Sequence, residues 1–283
     1  MEYWDLYDGA GRPLQQRHMR GQPLPPGAWF QAVSVWVVNS LGDFLLTLRS
    51  PEKEASPGCW ENSGGAVVAG ETSLQGALRE LGEETGIQAS PGELHFLSTQ
   101  LREPMRMDVY LLRRDAPLSS LSLQPGETVD ACWATAAELE VMARDGRLAP
   151  PIARTLAQIR PCLEQAIART DRPTAPPPLL LPDQLPDHCV YEFVPGPDKG
   201  VYWQPHFRYI TWEAFASTGL TALCAARWPD FQFYGPNTIP LEEWRLLQGD
   251  ARRQGYPQAF GLLQALDTWL ASYSTDCLTV YGP

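Results

Sequence analysis

Two hydrophobic periods alternate along the first 170 residues. Residues 30–38 (FQAVSVWVV) and 44–48 (FLLTL) are dense apolar runs on either side of the turn residues Asn39-Ser40-Leu41-Gly42-Asp43, which predicts two paired strands. At 73–85 the period lengthens. Leu74, Ala77, Leu78 and Leu81 follow the i, i+3, i+4, i+7 rule of a helix with one buried stripe. Thr72 and Gln75 have the spacing of a capping box, and Gly86 suits the position just past the helix end. Strand-like runs return at 93–101, 107–114 and 128–134. Two helices follow, over about 136–144 and 152–169, the second with Pro161 as an expected kink.

Residues 171–187 hold six Pro and can sustain neither a helix nor a central strand, so they predict an extended connector. Beyond it, 190–194 (VYEFV) and 231–234 (FQFY) read as strands. A helix is expected from Pro240, with Thr238 as its cap and Pro240 in the first turn, and another over about 257–272. The expected organisation is an α/β domain over 1–170, a linker over 171–187 and a small α+β domain over 188–283. Core packing accounts for most of the aromatic set Trp203, Trp212, Trp228, Trp244 and Trp269.

Composition narrows the function. The 283 residues suffice for two cores, and the net charge of −11 provides no global positive field for a nucleic-acid polymer. A phosphorylated small molecule stays open, because a bound cation reverses the potential locally. The six Cys (59, 132, 162, 189, 224, 277) form no C-x-x-C pair and read as reduced thiols. The polar N-terminus has no apolar core of a signal peptide, and no run approaches the ~18 apolar residues of a spanning helix. A cytoplasmic protein without a membrane partner is expected; nothing indicates its oligomeric state.

The chemistry concentrates at 64–87, GGAVVAGETSLQGALRELGEETGI. At 100° per residue, Glu80, Glu83 and Glu84 fall within roughly 100° of arc on a ridge away from the apolar stripe. Like charges so close repel unless water or a cation separates them. The alternatives are a solvated acidic face and a site for a hard divalent cation such as Mg²⁺ or Mn²⁺. Around them Gly65, Glu71, Arg79, Glu80, Leu81, Glu83, Glu84, Gly86 and Ile87 fit the pattern G-x5-E-x7-R-E-U-x-E-E-x-G-U, where U is aliphatic.

This segment resembles the Nudix box at every specified position. The resemblance implies an α/β/α sandwich with a mixed sheet and hydrolysis of a nucleoside or other organic diphosphate. It also implies Mg²⁺ or Mn²⁺ held by Glu80, Glu83, Glu84 and the Gly65 carbonyl, with Arg79 and Glu71 orienting the ligands. The flanks WDLYDGAGRPL, HMRG and LLTLRSPEKEASPGCWENSGGAVVAGE resemble the branch that includes isopentenyl-diphosphate isomerase. In those isomerases the stretch equivalent to 60–67 carries a catalytic Cys and then a metal-binding His. Here those positions are Gly and small apolar residues, and Cys59 comes six residues too early, which disfavours isomerisation. A catalytically quiet ligand sensor is the other alternative, against which the intact set of three carboxylates argues. Arg49 and Lys53, on the loop ahead of the box, are candidates for a substrate phosphate. Glu127 follows Pro125-Gly126 at a strand entrance; by likeness to the isomerase branch it is a candidate to reach the metal centre or orient the attacking water. His18 is a weaker candidate for lining the cleft, and His95 reads as structural.

Overall fold

The computed structural model describes residues 2–168, 175–185 and 190–282. His188, Cys189 and both ends of the Pro-rich connector (171–174 and 186–187) lie outside the described residues. The chain divides into two compact units, Met1–Asp171 and Arg172–Pro283. Among the described residues no helix is long and apolar enough to cross a membrane.

The first unit is built on a mixed nine-stranded sheet. Its strands are β1 (Tyr3–Tyr7), β2 (Pro13–Met19), β3 (Trp29–Val38), β4 (Phe44–Arg49), β5 (Trp60–Glu61), β6 (Ser63–Ala66), β7 (Leu94–Arg102), β8 (Met105–Arg113) and β9 (Thr128–Ala134). The helices are α1 (Ser73–Thr85), α2 (Ala136–Arg144) and α3 (Pro150–Ala168). β3 is the axis of the sheet. It runs parallel to β8 along its whole length and antiparallel to β1, β4 and β6.

Strand alternation sorts the apolar residues onto two faces. Val33, Val35 and Val37 of β3 pack with Ala77 and Leu81 of α1. Trp36 and Val38 point the other way, into a core with Leu139 and Met142 of α2 and Ile152 and Ile159 of α3. The sandwich implied by the resemblance is therefore present, with α1 on one face and α2 and α3 on the other. The expected strands and helices of this unit form, within a few residues at their ends. α3 begins two residues early, at Pro150, since proline is tolerated in a first helical turn, and the helix continues through Pro161.

The sequence reading missed the hairpin β1–β2 and the short strands β5 and β6. Five of the seven β2 residues are exposed, so they show no alternation, and β5–β6 is short and glycine-rich.

The second unit has a four-stranded antiparallel sheet in the order β11 (Arg208–Thr211), β10 (Val190–Pro195), β13 (Cys277–Tyr281), β12 (Pro236–Pro240). Among the described residues four α-helices accompany it: α4 (Trp212–Ser217), α5 (Leu220–Arg227), α6 (Leu241–Arg253) and α7 (Pro257–Leu270). Tyr191, Phe193, Phe215, Trp244, Leu262 and Leu266 form its core. The expected strand at 231–234 is instead a turn. The Asn237 side chain accepts from Gln232 N–H and donates to the Gln232 carbonyl, both at 2.7 Å, which satisfies locally the groups a ladder would use. Nor does Thr238 cap a helix: it lies in β12, and its hydroxyl bonds to that of Thr279. Pro240 occupies the cap position of α6, and the Asp276 carbonyl accepts the Leu241 N–H at 2.9 Å. Of the five Trp assigned to packing, Trp203 departs. It is 59% exposed and stacked on Tyr209.

Candidate active site

The start of α1 forms as its sequence predicts. Thr72 and Gln75 make a reciprocal capping box, and Gly86 ends the helix in the left-handed region at φ 75°. The loop before it is fixed from several sides: Val67 N–H donates to the Gln31 carbonyl, and Val68 N–H to the Glu71 carboxylate.

Arg79 organises the carboxylates around this loop. Its guanidinium grips Glu71 with two bonds of 2.9 and 3.1 Å and donates to the Ala66 carbonyl at 3.0 Å. It also donates to Glu80 at 2.8 Å and Glu83 at 3.1 Å. Burial opposes the charge of Arg79, but the bonds to Glu71 and Glu80 outweigh it and hold its pKa above the ordinary value.

The three box carboxylates occupy unequal environments, which a helical wheel does not distinguish. Glu83 is exposed, Glu80 is half-buried and Glu84 is buried at 7% exposure. Glu84 packs against β6, where its Oε2 accepts the Gly64 N–H at 3.1 Å. Burial pushes its pKa well above the usual carboxylate value; the charges of Glu61 and Glu80 add to the rise, and the bonds from Gly64 and Ser63 oppose it. Glu80 is raised mainly by burial as well, against the pull of Arg79.

Glu61 was not singled out from the sequence, although it is the only charged residue between positions 55 and 70. That isolation was the available signal. Burial raises its pKa, and Arg49 is drawn to it at 2.6 Å. Arg49 also donates to the Ala55 carbonyl at 2.9 Å, so it is committed to holding Glu61 rather than standing free for a phosphate. Lys53 pairs with Glu127 at 3.0 Å, and the Glu127 carbonyl accepts the Ser50 N–H. Glu127 lies in the turn just before β9, half-exposed, and its charge reaches Glu61.

His18 is buried beside Trp4, its Nε2 at 3.0 Å from the Gln22 carbonyl, and is spent on structure. Cys59 packs into the core on the α2–α3 face. A cavity of about 250 Å³ adjoins the carboxylates, lined by Glu61, Gly64 and Gly65 together with Phe30, Met105 and Met107. A larger one of about 570 Å³, between α2 and α3, contains none of the box residues.

The fit of a divalent cation can be judged from the residues themselves. The charges of Glu61 and Glu80 raise the pKa of Glu84, Glu83 raises that of Glu80 and Glu127 that of Glu61, so hard oxygen donors are concentrated here. Gly65 leaves room that a side chain would fill: a Cβ there would lie 2.4 Å from Glu80 Oε1. Among the described residues no three acidic, His or Cys side chains yet converge on one point, because Glu80 and Glu83 are both turned to Arg79.

Residues 29–158 match the NUDIX domain family. A Nudix hydrolase of Listeria monocytogenes, itself uncharacterised, is 33% identical over 151 residues, covering 53% of this chain and 89% of the relative. The chain belongs to the Nudix hydrolase family. The isopentenyl-diphosphate isomerase of Paenarthrobacter aurescens is 33% identical over 143 residues, covering 47% of this Nudix hydrolase and 76% of the isomerase. A crystal structure from Deinococcus radiodurans matches with a TM-score of 0.48 and 25% identity, over 57% of this chain and 99% of that one. Both curated relatives match over about half of this Nudix hydrolase.

Proposed function

We propose that this chain hydrolyses a diphosphate linkage in a small nucleoside or other organic diphosphate derivative, using Mg²⁺ or Mn²⁺ held by Glu80, Glu83, Glu84 and the Gly65 carbonyl. The observation that carries the reading is Glu84, a buried carboxylate facing Glu61 and Glu80 beside a glycine that makes room for Glu80. A bound cation would balance that charge, polarise a phosphoryl oxygen and acidify a bound water. Arg79, fixed by Glu71, sets the directions of Glu80 and Glu83 and moderates their repulsion. Arg49 holds the Glu61 carboxylate in place. The cavity beside Gly64 and Gly65 suits the group attached to the diphosphate. The absence of a thiol at 64–67 favours hydrolysis over isomerisation.

We assign this activity to the first unit, with residues 188–283 as a separate domain, and place the protein in the cytoplasm. The test is a panel of organic diphosphates incubated with Mg²⁺ or Mn²⁺, with product masses locating the cleaved bond. Metal-dependent cleavage is expected from the full chain and from a fragment ending at residue 171. Cleavage that survives chelation would remove the metal from the mechanism.

Glu127 is proposed to orient the attacking water or to complete the metal shell, released from Lys53 once substrate is bound. Glu127→Gln is expected to lower turnover at least about tenfold, less than the roughly 10²–10⁴-fold that a full general acid or base contributes. Its melting temperature should barely move, because a half-exposed ion pair such as that with Lys53 is a weak contributor to stability. Wild-type turnover at saturating Mg²⁺ would return Glu127 to an ordinary surface role.

A further inference from the structure

The N-terminal hairpin brings to this site a cation that lies outside the Nudix box. β1 is tied to the loop ahead of α1 at two points: the Tyr3 carbonyl accepts the Ala69 N–H, and the Asp5 carboxylate accepts the Gly70 N–H, both at 2.7 Å. β2 returns beside β1 with Met19 opposite Tyr3, and the Arg20 N–H donates to the Glu2 carbonyl at 3.0 Å. The side chains of Glu2 and Arg20 are therefore carried to the loop together, joined by an ion pair of 2.7 Å. Arg20 is within electrostatic range of Glu80 on α1 and of Glu127 ahead of β9. Glu2 is in the same range of Arg79 and Glu80.

The neighbouring arginines are already committed. Arg49 is clasped by Glu61 and Ala55, and Arg79 by three carboxylates and a carbonyl. The Arg20 side chain, in contrast, is 60% exposed, and among the described residues its ion pair is with Glu2. Glu2 has a second donor, Trp4 Nε1 at 2.8 Å, so its carboxylate keeps a partner if Arg20 leaves. The geometry is that of an exchangeable contact: an exposed ion pair is weak, and a guanidinium takes phosphate oxygens with the same planar fork it offers a carboxylate.

We infer that Arg20 is a diphosphate-binding residue of this site, and that it exchanges its Glu2 partner for a phosphate oxygen of the substrate. The inference rests on the diphosphate-hydrolase reading. It gives opposite roles to the two partners: Arg20 binds the anion, and Glu2 competes with it.

The test uses the full chain with Mg²⁺, inorganic pyrophosphate as the calorimetric probe, and steady-state hydrolysis of whichever panel member is cleaved. Arg20→Ala is expected to weaken pyrophosphate binding about tenfold and to raise KM while kcat changes by less than about twofold; Arg20→Lys should recover part of the loss. Glu2→Gln should move the other way, tightening pyrophosphate binding by about two- to threefold as the competing charge is removed. Mn²⁺ affinity and melting temperature should be unchanged in Arg20→Ala. Wild-type pyrophosphate affinity in Arg20→Ala, or weaker binding in Glu2→Gln, overturns the inference and leaves the hydrolase reading standing. A pair that merely staples the hairpin predicts that weakening, with a lowered melting temperature in both variants. A wild-type protein that neither binds pyrophosphate nor cleaves any diphosphate with metal overturns both.

Discussion

Glu84→Gln is expected to lower diphosphate turnover at least about 100-fold, the upper end for loss of a residue that only supports a metal ligand, while making the metal-free protein more stable. The two effects share one cause. Glu84 is buried against β6 and faces the charges of Glu61 and Glu80, so ionising it is unfavourable in the folded chain and its pKa is raised. A group raised in this way binds protons more tightly folded than unfolded. Its contribution to stability is therefore largest at low pH and declines as pH rises through the window above the ordinary glutamate value of 4.5. Gln keeps the shape and cannot ionise. It can still accept the Gly64 N–H through its amide oxygen. Thermal melts in chelator should nearly coincide at and below about pH 4.5 and separate as pH rises above it, with the variant melting higher. A Gln variant that melts lower at the alkaline end and retains full turnover would remove Glu84 from the metal site.

Adjacent glycines in β6 are expected to fail in different ways. A Cβ on Gly64 would lie 2.4 Å from the Val33 carbonyl oxygen and 3.2 Å from the Ser34 Cα. Both belong to the central strand, which pairs with β6 at that register and cannot retreat without breaking the ladder. Gly64→Ala should cost about 1–3 kcal/mol of stability, the usual range for forcing extra volume into a packed site. On Gly65 the same Cβ would meet the end of the Glu80 side chain, at 2.4 Å from Oε1 and 2.5 Å from Cδ. That carboxylate can swing aside, so Gly65→Ala should fold with a nearly unchanged melting temperature. It should nevertheless lose Mn²⁺ affinity and turnover by about tenfold or more, because Glu80 no longer holds its direction. Melting curves, Mn²⁺ titrations and kcat on the two variants separate these outcomes. The reverse pattern, with Gly64→Ala stable and Gly65→Ala unfolded, would mean that Glu80 is packed rather than poised.

Much of the first unit was legible because its signals are local. The stripe Leu74, Ala77, Leu78, Leu81 and the caps at Thr72 and Gly86 lie within one helix, and α1 forms between them. The dense apolar runs of β3, β4 and β8 read as strands for a similar reason, being buried on both faces of the sheet. Where a segment carried a weaker local signal, the reading failed. β2 is nearly all exposed and shows no period, and it is held by pairing to β1. At 231–234 the aromatic run suggested a strand, but the side chain of Asn237, further along the chain, turned the backbone instead.

The same division runs through the candidate site. The sequence by itself determined which groups are available, the helix and its three glutamates; the pairing of Arg79 with Glu71 was implied by the family resemblance and is present in the structure. Only the tertiary structure decided how those groups differ. A helical wheel places Glu80, Glu83 and Glu84 on one ridge, but it contains no neighbour. Pairing of β6 with β3 lays Gly64 and Gly65 along the helix, burying Glu84, giving Glu80 its room and leaving Glu83 exposed. The β1–β2 hairpin brings in Arg20, and β5 brings in Glu61. Periodicity records which side of an element is apolar, whereas the charge balance of a site depends on which distant segments fold against that element.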